Sequence, residues 1–209
     1  MIRILIADDH TVVRRGLKQI LLEEFPSAYI EDVSDAEEMV SRVMSSPWDV
    51  VVSDLSMPGR SGLDALQQIK HSNPNLPVLI LSIHPEEHYA LRVLKAGAAG
   101  YLSKDTASDE LVKAVKKVLL GKKYISPTVA ENLADTLSSA SERLPHESLS
   151  DREFDVMKQL ASGKSVSEIA EMLSLSVTTI STYRARVMTK MNLKTNPDLT
   201  KYALEHKLI

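Results

Sequence analysis

The sequence predicts an α/β domain on a five-stranded, doubly wound parallel sheet, followed by a small all-α domain of four helices. Three observations lead there. Over the first 120 residues, short apolar runs alternate with segments whose apolar positions recur every three or four residues. Beyond residue 148 only the helical pattern continues. A length of 209 residues also suits two domains better than one.

The runs Ile4–Ala7, Tyr29–Val33, Val50–Val52, Val78–Leu81 and Ala99–Leu102 read as strands of a parallel sheet covered on both faces. Between the first two, Val13, Leu17, Ile20 and Leu21 mark one face of a helix. Pro74 and Pro77 precede the fourth run, and Gly97 and Gly100 bracket the entry to the fifth. A helix starting near Ser108 closes at Gly121, so the first domain is expected to span residues 1–120.

Residues 121–148 are expected to be a linker carrying a short helix. Ser126-Pro127 reads as an N-cap with proline in the first helical position, ahead of an apolar stripe of Val129, Leu133 and Leu137. Ser138-Ser139-Ala140-Ser141 and Pro145 then read as flexible chain. In residues 149–209, Ser150 and Glu153 form a capping box flanked by Leu149 and Phe154, and Gly163 ends that helix. Ser165 and Glu168 repeat the box for a helix through Leu173; a third helix starts near Thr178 and a fourth follows Pro197. Four short helices leave no room for an enclosed active site.

Hydrophobic residues make up 44% and charged residues 25% of the chain, ordinary values for a folded domain. No apolar run approaches the ~20 residues that span a bilayer, and the apolar start is too short for a signal peptide. A cytoplasmic protein without a membrane partner is therefore expected. The absence of cysteine excludes disulfides, thiolate metal sites and a cysteine nucleophile. The net charge of −3 divides into −4 over residues 1–120, −1 over 121–148 and +2 over 149–209. Residues 178–194 hold Arg184, Arg186, Lys190 and Lys194 with no acid, which suits either a polyanion contact or a solvated helix face.

Ligands of an open parallel sheet collect beyond the carboxyl ends of its strands. There the first strand delivers Asp8 and Asp9, the third Asp54, the fourth Ser82 and the fifth Lys104. Three converging carboxylates repel one another unless a positive charge sits among them, and a hard divalent cation such as Mg²⁺ (or Mn²⁺) answers that need. Lys104 and Ser82 add an ammonium and a hydroxyl, so the set can hold a phosphoryl group, with a carboxylate as nucleophile. Neither glycine-rich phosphate loop occurs, which argues against a nucleotide-binding domain. Ser56, two residues after Asp54, is not the second acid that an aspartate phosphohydrolase needs, so no multiple-turnover enzyme is expected.

Asp8-Asp9, Asp54-Leu55-Ser56-Met57-Pro58-Gly59, Ser82 and Gly100-Tyr101-Leu102-Ser103-Lys104 resemble the receiver domain of response regulators, a flavodoxin-like fold. The resemblance implies that Asp54 accepts phosphate from a histidine kinase. It implies too that Asp9, Asp54 and the Ser56 backbone carbonyl hold Mg²⁺, with Asp8 assisting through water, and that Ser82 and Lys104 contact the phosphoryl group. Tyr101 matches the aromatic switch position of that family. Asp105 departs from the proline many receivers carry after the lysine.

The two helices near Ser167–Leu173 and Thr178–Met191, joined through Ser174-Leu175-Ser176, suit a helix-turn-helix. Ile180, Tyr183, Val187 and Met191 define its buried face, leaving Ser181, Thr182, Arg184, Ala185 and Arg186 outside. Leu149-Ser150-Asp151-Arg152-Glu153, Ser162-Gly163-Lys164-Ser165, Glu168-Ile169-Ala170 and Thr178-Thr179-Ile180-Ser181-Thr182-Tyr183 resemble the LuxR-type domain of NarL/FixJ response regulators. The resemblance implies binding of double-stranded DNA as a dimer. Base contacts would come from Ser181, Thr182 and Ala185, and phosphate contacts from Arg184, Lys190, Thr178 and Thr179, while Arg186 can reach either. Ser181 stands where relatives often carry lysine, and Tyr183 where histidine is common. Leu199, Tyr202 and Ala203 on the last helix suit either a dimer contact or the interior of the bundle.

Overall fold

The computed structural model of the chain describes residues 1–131 and 144–209, apart from the side chain of Asp151. Leu133, Leu137 and the serine-rich segment 138–141 lie outside the described residues. The chain divides into two compact units, Met1–Ser138 and Ser139–Ile209.

The first unit alternates strand and helix: β1 Arg3–Ala7, α1 Thr11–Glu24, β2 Tyr29–Val33, α2 Ala36–Ser45, β3 Val50–Asp54, α3 Gly62–Ser72, β4 Val78–Ser82, α4 Glu86–Lys95, β5 Gly100–Ser103 and α5 Ala107–Leu119. All pairings are parallel, in the order β2-β1-β3-β4-β5. On one face Ile4, Ile6, Val50, Val52, Leu79 and Leu81 pack under Leu17 and Leu21 of α1 and Leu111 and Val115 of α5. Side chains alternate along a strand, so Leu5, Val51 and Ile80, also fully buried, belong to the other face. Each such aliphatic side chain contributes about 1.5–3 kcal/mol by leaving water, which is why β3 and β4 are buried along their whole length.

The strand order places the topological switch between β1 and β3, whose ends are in register at Ala7 and Ser53. β3 runs two residues beyond the apolar run, so Asp54 is its last strand residue. Gly121 takes φ +74°, a left-handed conformation that ends the α5 turn at little steric cost. The chain then returns to the sheet edge, where the Tyr124 N–H donates to the Ala99 carbonyl at 2.8 Å. A further helix begins at residue 127 with Ser126 as its cap, the hydroxyl accepting the Val129 N–H at 3.2 Å.

The second unit opens with a 3₁₀ turn, Pro145–Ser148, followed by α6 Asp151–Ala161, α7 Val166–Met172, α8 Val177–Met191 and α9 Asn196–Glu205. Both expected capping boxes form, at Ser150/Glu153 and Ser165/Glu168, and Thr195/Asp198 makes a third. Leu149 and Phe154 are buried as the flanking pair. Leu199 and Ala203 are fully buried inside this unit and Tyr202 is half-buried, so the first two are packing residues of the bundle and not an exposed dimer contact.

Candidate functional site

The strand ends bring the expected residues of the first unit together. Asp8 is fully buried, as is Ser82, and Asp54 is 4% exposed. The Lys104 ammonium reaches between two carboxylates, 2.7 Å from Asp8 Oδ2 and 2.9 Å from Asp54 Oδ2. The Lys104 N–H also donates to the Ser82 carbonyl at 2.8 Å, which holds the β5–α5 turn against β4. The Ser56 N–H lies 3.3 Å from Asp54 Oδ1. Among the described residues, Asp8, Asp9, His10 and Asp54 have ligand atoms within 4.8 Å of one another, a spread that one divalent ion could close.

Burial raises the Asp54 pKa above its ordinary value; the hydrogen bond and charge of Lys104 oppose this without cancelling it, and Asp8 adds to the rise. Burial also works against the Lys104 ammonium, but its bonds to Asp8 and Asp54 outweigh that and hold its pKa high. The two shifts differ in origin: burial dominates at Asp54, whereas the two carboxylates dominate at Lys104, whose single ammonium is shared between them.

Backbone packing fixes Asp54. The Gly62 N–H donates to the Leu55 carbonyl at 2.9 Å, and a Cβ on Gly62 would overlap the Asp54 carbonyl oxygen. Arg14 performs the matching task for β1: its Nη1 donates to the Asp8 carbonyl at 2.7 Å and its Nε to Asp32 at 3.2 Å.

Ser82 and Tyr101 both bond the His84 backbone and also pair side chain to side chain. The Ser82 hydroxyl accepts the His84 N–H at 3.1 Å, and the Tyr101 hydroxyl donates to the His84 carbonyl at 2.7 Å. Tyr101 is 2% exposed, its ring already inward, and burial pushes its pKa up to about 12. The His84 ring stacks on Tyr89 at 4.7 Å, and its Nε2 lies 2.9 Å from Ser56 Oγ. Sequence reasoning missed Arg14 and His10 as site residues. Their spacing from Asp8, six and two residues, was visible; the fold-back of the turn was not.

In the second unit, α8 exposes Thr178, Ser181, Thr182, Ala185 and Arg186, with Ile180, Val187 and Met191 buried behind them. Met188 is buried as well, and Tyr183 is half-buried. Ser176 caps the helix, its hydroxyl accepting the Thr179 N–H at 3.0 Å. Ser174, at φ +53°, supplies the left-handed residue of the turn between α7 and α8. Two of the expected phosphate contacts have partners within this unit. Arg184 is half-buried, with Nε donating to Asn196 Oδ1 at 3.0 Å, and Lys190 is bonded to Glu153 at 2.6 Å. Neither cation stands free on the exposed face, because each secures a neighbouring helix.

Residues 4–116 match the response regulator receiver domain, and residues 147–203 match the bacterial regulatory proteins of the luxR family. The chain belongs to the response regulators. It is of the NarL/FixJ type, a transcription regulator in which a receiver domain precedes a LuxR-type DNA-binding domain. The response regulator UvrY of Escherichia coli strain K12 is 36% identical over 209 residues, covering 100% of this chain and 96% of that protein. The oxygen regulatory protein NreC of Staphylococcus carnosus is 37% identical over 214 residues, covering 99% of each. Among solved structures, RcsB of Salmonella enterica serovar Typhimurium, bound to a promoter with the phosphomimetic BeF₃⁻, superposes with a TM-score of 0.59 at 27% identity, covering 96% of this chain and 97% of that one. No described helix of this response regulator is long and apolar enough to cross a membrane.

Proposed function

We propose that Asp54 is the phosphoacceptor of this response regulator and that its phosphorylation promotes binding of double-stranded DNA by a homodimer through α8. Supporting this most directly is the Lys104 ammonium, held within hydrogen-bond distance of both Asp8 and Asp54 at the sheet edge. An Asp54 oxygen attacks the phosphoryl group of a phosphohistidine on a sensor kinase; the new P–O bond forms as the P–N bond breaks, and the imidazole leaves with a proton from solvent. Lys104 faces the charge on the equatorial oxygens, with the Ser82 hydroxyl turning from the His84 N–H toward them.

Asp8, Asp9, Asp54 and the Ser56 backbone carbonyl suit Mg²⁺ or Mn²⁺, since the carboxylates outnumber the ammonium. The cation would neutralise charge on the transferring group. Each protein accepts one phosphoryl group and loses it slowly by hydrolysis, a single-turnover event.

Tyr101 serves as the switch residue, coupled to Ser82 directly and through His84. Ser181, Thr182, Ala185 and Arg186 face the major groove, with Thr178 and Thr179 at the helix N-terminus near phosphates. Arg184 and Lys190 have donors beyond those bonded to Asn196 and Glu153, so they could reach phosphates from where they are held. We place the receiver at residues 1–120, the linker at 121–148 and the DNA-binding domain at 149–209.

The test is DNA binding by the full chain in Mg²⁺, with and without a small-molecule phosphodonor. Wild type gains affinity and dimer on phosphorylation, and Asp54→Asn does not respond. A wild type phosphorylated on Asp54 yet unchanged in both would refute the coupling.

A further inference from the structure

We infer that His10 is a nitrogen donor to the cation site, so that this receiver holds imidazole-binding transition metals more tightly, relative to Mg²⁺, than its carboxylates alone would. The inference rests on Asp8, Asp9 and Asp54 being that site.

His10 is the N-cap of α1, yet its side chain makes no capping hydrogen bond. The ring turns back over the carboxylates instead. Its Nδ1 lies 2.7 Å from Asp9 Oδ1 and 3.3 Å from Asp8 Oδ1, and its backbone N–H donates to the same Asp8 oxygen at 2.8 Å. The two sides of the cluster are thereby divided. Lys104 takes Oδ2 of Asp8 and of Asp54, while Oδ1 of Asp8 and of Asp9 faces the imidazole.

Opposite ligands of an octahedral ion with bonds of about 2.1 Å stand about 4.2 Å apart. Ligand atoms of Asp8, Asp9, His10 and Asp54 within 4.8 Å of one another therefore reach one ion after shifts of a few tenths of an ångström. Such shifts are accessible because the acids and the imidazole differ in freedom. Asp8 and Asp54 are anchored in the core, whereas the His10 side chain is 65% exposed and moves without disturbing it. Oxygen donors alone favour Mg²⁺ and other hard ions; a neutral imidazole nitrogen adds affinity that climbs from Mn²⁺ to Co²⁺ and Ni²⁺. The competing account is a surface histidine hydrogen-bonded to Asp8 and ion-paired with Asp9, and the two differ in whether nitrogen ever touches metal.

The experiment loads full-length wild type and His10→Asn with Mn²⁺ and looks for the electron spin echo modulation of a directly bound ¹⁴N. Calorimetric titrations with Mg²⁺ and Co²⁺ accompany it. Asparagine is itself a favoured N-cap, so α1 keeps its start. The expected result is strong ¹⁴N modulation in wild type, its loss in His10→Asn, and a Co²⁺-to-Mg²⁺ affinity ratio lowered at least about tenfold. Wild-type Mn²⁺ without bound nitrogen, or an unchanged ratio in the variant, overturns the inference. Labelling of Asp54 by a phosphodonor in Mg²⁺ is read on the same samples. A wild type that binds Mg²⁺ and takes the label, but fails the nitrogen test, refutes His10 alone; failure to bind Mg²⁺ at all refutes the site it rests on.

Discussion

The Lys190 ammonium lies 2.6 Å from the Glu153 carboxylate, which also accepts the Ser150 N–H at 2.7 Å. The last turn of α8 is thus tied to the capping box that starts α6. Glu153 is 3% exposed, so removing its partner strands a buried charge. Lys190→Gln is expected to destabilise the DNA-binding domain by about 1–2 kcal/mol, the value for a hydrogen bond to a charged group reduced because the Lys190 side chain is 41% exposed and screened by solvent, as read by denaturant unfolding. An unchanged unfolding midpoint would show that the bond is only a surface contact.

The same pair sets a pH dependence. Burial pushes the Glu153 pKa up, but the hydrogen bonds from Lys190 and Ser150 outweigh it and hold the folded value below 4.5. A carboxylate with a depressed folded pKa stabilises above its unfolded value and loses that contribution as pH falls through the folded one. Wild type is therefore expected to lose its advantage over Glu153→Gln as the pH drops below about 4.5. An advantage that did not shrink in that range would contradict the assignment.

Gly62→Ala drives a methyl group into the Asp54 backbone carbonyl, and neither β3 nor the start of α3 has slack to receive it. Overpacking of this kind costs about 1–3 kcal/mol. The variant is expected to lower receiver stability and slow Asp54 labelling together. Normal labelling in a destabilised protein would mean that the β3 end tolerates displacement.

His84→Ala removes the ring bonded to Ser56 Oγ and stacked on Tyr89. That ring is expected to shield one approach of water to the acyl phosphate proposed on Asp54. The phosphate lifetime is expected to shorten severalfold, measured as loss of label from Asp54. An unchanged or longer lifetime would remove His84 from the shield.

The Asp8, Asp54 and Lys104 cluster was legible because strand periodicity alone places the three residues at one sheet edge, where opposite charges attract. Most of the strands were legible for a related reason: buried parallel strands are written as apolar runs, whereas the edge strand β2 is interrupted by Glu31 and Asp32. The Ser56–His84 contact was not, since two loops set it and neither carries a period. Nor was the Lys190–Glu153 bond, whose partners stand 37 positions apart on different helices. Lys190 looked like a free cation because a basic helix face reads alike whether it meets DNA or a buried acid. Met188 escaped the three-and-four spacing because α8 packs against both α6 and α7, which widens its buried face. The start of α9 was placed only by Pro197; Thr195 and Asp198 form a capping box with aspartate in the glutamate position.

The most direct measurement incubates the full chain with a small-molecule phosphodonor and Mg²⁺ and then maps the phosphoryl group by peptide mass analysis. One phosphoryl group per chain on Asp54 is expected, absent from Asp54→Asn and much reduced in Lys104→Gln. A wild-type protein that binds Mg²⁺ but carries the label elsewhere, or not at all, would contradict the account.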